Sequence, residues 1–390
     1  MISRTLSTAI LDHSKKMPVI AVTGPRQSGK TTLVKSVFPD YTYLNLEYPD
    51  VRTRALEDPR LFLQSESPGL ILDEVQRAPE LFSYIQGIVD EQQTPGHFIL
   101  TGSQNFLLLE NISQSLAGRV SLFTLLPLSL DEINSQYPLA DNSLATILKG
   151  GYPRLYDKEL QPNELYPSYI QTYIERDVRQ IVNVKNIHLF QTFIRLCAGR
   201  IGQIFNASSL ANEIGVDYKT IQSWMSILQA SYIIFLLPPY HKNFNKRLIK
   251  SPKIYFYDTG LACSLLGIRS EEDLQVHFLK GELFESLVIS ELFKQKFHNN
   301  LPTNFYYWRD NSGHEIDCII EDGPRLKAVE IKSGITINSS FFKGLDFWQK
   351  LTGAEAGHCF LVYGGTERQT RSKAKVFGWR DLTSMWQAEK

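Results

Sequence analysis

One run constrains this chain more than any other: Gly24, Pro25, Arg26, Gln27, Ser28, Gly29, Lys30 and Thr31, followed by Thr32. The apolar stretch 18–23 ahead of it has the character of a buried strand, and residues 31–37 behind it have that of a helix. Strand, G-x-x-x-x-G-K-[ST] loop and helix in that order make a phosphate-binding P-loop. Loop amides and the helix N-terminus offer donors to phosphate oxygens. Lys30 reaches the β and γ phosphates, and the Thr31 hydroxyl is placed to ligate magnesium. ATP and Mg2+ are therefore the expected cofactors.

A second apolar run, 69–72, ends in Asp73 and Glu74. In an open parallel sheet ligands gather at the C-terminal strand ends, so Asp73 is expected at the magnesium and Glu74 at the attacking water. A third run, 97–100, ends in small polar residues that include Ser103, Gln104 and Asn105. These stand where a γ-phosphate sensor would sit, although such residues also fill inert loops. Arg119, after Ser115-Leu116-Ala117-Gly118, reads either as an arginine finger, within the chain or across a subunit boundary, or as an ordinary surface arginine.

Taken in order, GPRQSGKTTL, LILDEVQ, TGSQN, SLAGR and the following Leu126-Pro127-Leu128-Ser129 resemble a prokaryotic AAA+ ATPase family whose ATPase is joined to a C-terminal region catalogued as a domain of unknown function. The resemblance runs over nearly the whole chain. It implies ATP hydrolysis with Lys30, Thr31, Asp73 and Glu74 in their usual roles, Ser103 to Asn105 as a sensor, and Arg119 as the finger of a homo-oligomer.

Bulk properties set outer limits. At 390 residues the chain exceeds what one core usually serves. Lys plus Arg and Asp plus Glu both total 41, so any attraction to DNA must come from local patches. The four cysteines are scattered without a C-x-x-C pair, which argues against a zinc site and fits a reducing compartment. No stretch has signal-peptide or membrane-spanning character, so a soluble cytoplasmic protein without a membrane partner is expected.

From about 131 to 185 the pattern turns helical, broken at Gly150-Gly151, and reads as a lid; Tyr166, Tyr169 and Tyr173 fall at helical spacing and read as a core stripe. Residues 208–228 read as a helix-turn-helix, with Gly215 stopping the first helix and Asp217 capping the second. Ile221, Trp224, Met225 and Leu228 form the inner face, leaving Tyr218, Lys219, Gln222 and Ser226 outward. Two strands near 232–237 and 253–257 complete a winged helix. The run between them carries Lys242, Lys246, Arg247 and Lys250, with Lys253 at its end and no acid between, enough for several phosphate contacts. DNA is the expected partner; protein docking and a second lid are the other uses of such a module.

Beyond residue 258 an amphipathic helix carrying Glu285 is expected, with Leu283, Leu287 and Leu292 near one side. Strands at 305–309, 315–321 and 326–332 follow. Side chains at i and i+2 share a strand face, so Glu330 and Lys332 project together while Ile331 turns inward. An Asp on one strand and Glu-x-Lys on the next suit a magnesium-dependent phosphodiesterase, with Asp317 and Glu330 as metal ligands and Lys332 at the water. These residues resemble the PD-(D/E)xK nuclease motif, with Ile316 in place of its proline. Glu285 resembles the extra acid of its archaeal junction-resolvase-like branch. A solvated strand face, or a nuclease-like fold kept only for binding, would give the same pattern.

The expected fold is α/β: a P-loop AAA+ parallel-sheet core (1–130), a helical lid (131–186), a winged helix (187–257) and a restriction-endonuclease-like α/β domain (258–390). The expected function is ATP-dependent action on DNA with Mg-dependent cleavage. The alternative is a nucleotide-gated switch that binds DNA or protein and cuts nothing. Carboxylates converging within reach of one magnesium would favour cleavage.

Overall fold

Five short runs, of which the central three (β1, β3, β4) are buried along their whole length, become the strands of one parallel sheet: β1 (Val19–Thr23), β2 (Thr42–Asn45), β3 (Leu70–Asp73), β4 (Phe98–Thr101) and β5 (Val120–Thr124). Such runs are what a sheet covered on both faces requires. Their order is β2-β3-β4-β1-β5, so β4 lies between β1 and β3. On one face Val19, Ala21, Leu72 and Leu100 pack with Leu81, Phe82 and Ile85 of the helix Leu81–Gln92. On the other, Ile20, Val22, Ile71 and Ile99 meet Leu6, Ile10, Leu33 and Val34 from the helices Leu6–Ser14 and Lys30–Val37. The C-terminal ends of β1, β4 and β3 therefore lie side by side.

The computed structural model describes residues 2–64, 67–103, 112, 114–174, 187–240 and 249–387. They form two compact units: one of residues 1–128, 230–232 and 296–301, the other of 129–229, 233–295 and 302–390. Gln104, Asn105, Lys242, Lys246 and Arg247, named above, lie outside the described residues, as does the side chain of Tyr173.

The second unit begins with short helices, Leu130–Asn134, Ser143–Lys149, Arg154–Asp157 and Pro162–Tyr169. Tyr166 and Tyr169 are buried, as the stripe requires. Helices Ala207–Ile214 and Tyr218–Ala230 follow, joined through Gly215 at φ 79°. Asn206 caps the first through Ser209 N at 3.0 Å, and Asp217 caps the second through Thr220 N at 2.9 Å. Ile221, Trp224, Met225 and Leu228 are buried. Strands β6 (Ile234–Leu237) and β7 (Lys253–Phe256) then pair antiparallel, Leu237 against Lys253.

The helix Lys280–His298 departs from the amphipathic expectation, because every residue from 286 to 295 is buried. Its polar members are satisfied internally: Lys294 pairs with Glu291 at 2.7 Å, and Glu291 accepts from Leu130 N at 2.8 Å. Strands β8 (Phe305–Arg309), β9 (Glu315–Asp322), β10 (Arg325–Lys332), β11 (Cys359–Tyr363), β12 (Gln369–Thr370) and β13 (Lys375–Gly378) form a mixed sheet ordered β12-β13-β11-β10-β9-β8. Among them β8, β9 and β10 run antiparallel, and β11 joins β10 in parallel. The helix Lys343–Thr352 packs Leu345 and Trp348 against this sheet.

Candidate functional site

Between β1 and the helix Lys30–Val37 the chain must turn sharply, and its glycines allow that. Gly24 has φ 142°, and a Cβ there would stand 2.1 Å from Leu125 O; Gly29 has φ 96°. Gln27 is also left-handed, at φ 61°, and exposed, and Thr32 is exposed on the first helical turn. Arg4, which the sequence reading missed, clamps the loop from outside, donating to Ser28 O at 2.6 Å and to Leu126 O at 2.6 Å.

Inside the loop Lys30 is buried, its Nζ donating to Gly24 O at 3.0 Å and Pro25 O at 2.9 Å. Burial brings its pKa down to about 8, against the pull of Glu74 and Asp73. Thr31 Oγ1 donates to Asp73 Oδ2 at 2.9 Å. Ser28 Oγ is buried without a hydrogen-bond partner. A buried cation, an unpaired hydroxyl and a Thr–Asp pair at one loop are the donor set that magnesium and nucleotide phosphates fit. Lys30 would hold the phosphates, and Thr31 with Asp73 the metal, whose charge would offset that developing on the transferred phosphoryl group.

Glu74 takes the left-handed conformation at φ 54° just past β3. Its Oε2 accepts from Gln76 Nε2 at 2.5 Å, Ser103 Oγ at 3.0 Å and Ser103 N at 3.4 Å. Ser103, expected as a sensor, thus stands hydrogen-bonded to Glu74. Two partners of Asp73 escaped the sequence: Thr101 Oγ1 bonds Oδ1, and the Tyr43 hydroxyl donates to Oδ2 at 2.7 Å. Thr101 ends β4 and Tyr43 lies on β2, the two strands flanking β3, a placement that strand order alone reveals.

Arg119 is corrected in one respect. It precedes β5, and its carbonyl accepts from Val19 N at 3.2 Å, at the N-terminal edge of the sheet. The P-loop follows the opposite end of β1. Arg119 forms a bidentate pair with Asp90, Nε to Oδ1 at 2.5 Å and Nη2 to Oδ2 at 3.0 Å, so a finger acting within the same chain is excluded.

In the second unit β9 and β10 pair as far as Cys318 and Val329; the next residues, Asp317 and Glu330, stand where the ladder stops. Asp317 Oδ2 takes the free amide of Ile331 at 2.7 Å. Lys332 Nζ lies 3.2 Å from that oxygen and 2.8 Å from Glu330 Oε1. Although burial opposes it, Asp317 and Glu330 hold Lys332 well above the usual lysine range. Burial and the neighbouring Asp317 push Glu330 up to about 8.

Glu285 is drawn elsewhere. Tyr255 donates to its Oε1, and Lys253 Nζ lies 3.1 Å from the same atom. Burial raises Glu285 to about 7, Lys253 opposing. Lys253 also pairs with Glu315, which Arg309 meets at 3.2 Å. This corrects the placement of Lys253 in a DNA-facing wing: it is 3% exposed and spends its charge on acids. Glu315, two residues before Asp317 and on its strand face, was legible by period. Among the described residues no three of His, Cys, Asp and Glu come together as a metal site would need. The expected magnesium ligands Asp317 and Glu330 meet at Lys332, while Glu285, the expected extra acid, is held by Tyr255 and Lys253. His314 bonds Asp310 at 3.0 Å and stacks on Phe347, away from this chemistry.

Of the expected DNA-facing residues, Lys219, Gln222 and Lys250 are exposed, and Gln222 Nε2 donates to Tyr218 Oη at 3.0 Å. No helix among the described residues is long and apolar enough to cross a membrane.

With this geometry the N-terminal unit is defined as a P-loop AAA-type ATPase, and residues 16–134 match the family model of an AAA domain. Residues 141–272 and 280–382 match two domains of unknown function, DUF8612 and DUF4143. The uncharacterized protein Rv2008c of Mycobacterium tuberculosis is 34% identical over 359 residues, 90% of this chain and 78% of the relative; the chain belongs to that protein's family. The uncharacterized protein MJ1544 of Methanocaldococcus jannaschii is 25% identical, covering 82% of this chain and 75% of its own length. A solved Walker-type ATPase, PABY2304 of Pyrococcus abyssi, is similar at TM-score 0.46 and 13% identity over 68% of this chain and 96% of its own.

Proposed function

We propose that the ATPase acts on DNA as a nucleotide-gated switch: ATP binding and hydrolysis set how tightly the second unit holds DNA, and no strand is cut. In this reading residues 1–130 are the AAA+ core, 131–186 the lid, 187–257 a winged helix and 258–390 a nuclease-like fold used without cleavage. Thr31 and Asp73 hold magnesium, Glu74 polarises water, and Ser103 reports on the γ-phosphate. Exposed Lys219, Gln222 and Lys250, with Lys242, Lys246 and Arg247 of the intervening sequence, supply the DNA contacts.

What favours the switch over the cleaving alternative is the ion pairing of the carboxylates. A nuclease would hold magnesium on Asp317 and Glu330 with Glu285 as the extra acid, but Lys253 and Tyr255 hold Glu285, and among the described residues no three of His, Cys, Asp and Glu come together as a metal site. The test is DNA binding and cleavage on single-stranded, duplex and branched DNA with ATP and magnesium. Retarded but uncut DNA is expected, with binding weakened by Lys219→Ala/Lys250→Ala. Magnesium-dependent cutting by wild type that Lys332→Ala abolishes would overturn the switch and restore the nuclease.

A further inference from the structure

A metal-dependent phosphodiester site gathers carboxylates around a divalent ion, whose charge offsets theirs. In this chain comparable acids gather around side-chain cations. Glu285, Glu315, Asp317 and Glu330 supply four carboxylates, and Lys253, Lys332 and Arg309 answer them. Lys253 is the cation from outside the six-stranded sheet. It lies on β7, held in the ladder opposite Leu237 and bridged to Ile204, so its backbone is fixed. Its ammonium is 3.1 Å from Glu285 Oε1, bonded to Glu315 Oε1, and 5.6 Å from the face of Tyr307. An ammonium is buried this deeply only when acids surround it.

The cluster also keeps an unused acceptor. Glu330 Oε2 is buried without a hydrogen-bond partner among the described residues, in a residue 6% exposed. Gly344 leaves the space beside it: a Cβ there would stand 2.8 Å from Oε2. The acids thus keep one carboxylate oxygen without a partner among the described residues, and Lys253 gives Glu285 and Glu315 the positive charge that a divalent ion would.

We propose that Lys253, held by Glu285 and Glu315 beside the Asp317, Glu330 and Lys332 group, is a resident cation standing in place of a divalent metal and closes these acids to metal. A divalent ion entering there meets the ammonium charge at close range and must take carboxylates that Lys253 already holds. The inference rests on reading the cluster as nuclease-like. It makes Lys253 a positioning residue, since it touches no substrate.

The test is Mn2+ binding to the full-length, nucleotide-free protein, followed by electron paramagnetic resonance. An Asp73→Asn background removes the P-loop carboxylate that would hold a divalent ion. Lys253→Met keeps most of the buried stem and removes the charge; it is expected to bind one Mn2+ at least tenfold more tightly than the background protein, and adding Asp317→Asn is expected to abolish the gain. Equal affinity with and without Lys253, or a gain that survives Asp317→Asn, overturns the proposal. If Lys253→Met lacks a cooperative melt, the comparison becomes Lys253→Met/Glu285→Gln against Glu285→Gln, which lowers the unpaired charge, with the same tenfold gain expected and no gain contradicting it. Equal Mn2+ affinity in a protein that cuts no DNA overturns the clamp alone, and loss of ATP-gated DNA binding overturns the switch while leaving the Mn2+ result intact.

Discussion

Glu74 carries the hydrolytic role in the proposed function, and its surroundings say how. A left-handed backbone turns the carboxylate away from the strand, and Gln76 and Ser103 fix its Oε2. Replacing it with Gln keeps the size and removes the charge. ATP turnover is expected to fall by roughly 10²–10⁴-fold with nucleotide affinity retained, as a phosphate-release assay and a nucleotide titration would read; unchanged turnover would remove Glu74 from the chemistry. Ser103→Ala deletes one hydrogen bond to a charged acceptor and is expected to slow turnover about tenfold, from roughly 1.5 kcal/mol. Lys30 adds a pH dependence. Burial lowers its pKa to about 8, so the proton leaves early, whereas phosphate binding needs the cation. Affinity for ATP should therefore be full below pH 8 and fall above it, approaching tenfold per pH unit until the unshifted lysine range. A fluorescent-nucleotide titration from pH 7 to 9 checks this, and a profile as flat as that of Lys30→Ala would contradict it.

Among the elements, the junction around Asp258 shows how a buried carboxylate organises helices. It caps the helix Thr259–Leu266 through Leu261 N at 2.9 Å and accepts from Gly151 N and the Tyr166 hydroxyl, both at 2.7 Å. Asp258→Ala strands those donors, and a loss of about 3 kcal/mol is expected from the cap and the buried groups together. Urea unfolding measures it; a loss under about 1 kcal/mol would mean the donors find other partners. Gly150→Ala attacks the same junction, since its Cβ would meet Tyr166 Oη at 2.1 Å.

The elements also divide what sequence can reveal from what it cannot. The P-loop, the Asp73–Glu74 strand end, the caps Asp217 and Gly215, and the pairing of Asp317 with Glu330 and Lys332 were legible, because each depends on neighbours in sequence or on strand period. Lys253 was misplaced, and the alternatives for Arg119 left open, for the opposite reason. Lys253 sits in a basic run that reads as exposed, and only long-range acids at 285 and 315 explain its burial. The edge of the sheet that Arg119 occupies follows from strand direction, which local pattern does not set. Thr101 and Tyr43 were missed likewise, since they meet Asp73 through sheet order.

For the whole molecule, the position of Arg119 bears on assembly. Half-buried beside Asp90 and set before β5, at the opposite end of the sheet from the P-loop, it is proposed as a finger only for a neighbouring copy. A mixture of Arg119→Ala and Glu74→Gln proteins, each nearly inactive alone, is then expected to regain part of wild-type turnover, because some sites receive an intact arginine from the neighbour. No regain would assign Arg119 to its surface ion pair. The chain itself offers a route for coupling: Tyr232, at φ 55° just before β6, hydrogen-bonds Thr23 Oγ1 at 3.0 Å, and Thr23 immediately precedes Gly24 of the P-loop. Tyr232→Phe is expected to leave ATP turnover standing while weakening its link to DNA. The central claim, that nucleotide state sets DNA affinity, is tested most directly by fluorescence anisotropy of labelled duplex DNA with the Glu74→Gln protein, compared in ATP and in ADP. Dissociation constants differing by at least tenfold between the two nucleotides are expected, and equal constants would rule out nucleotide gating of DNA binding.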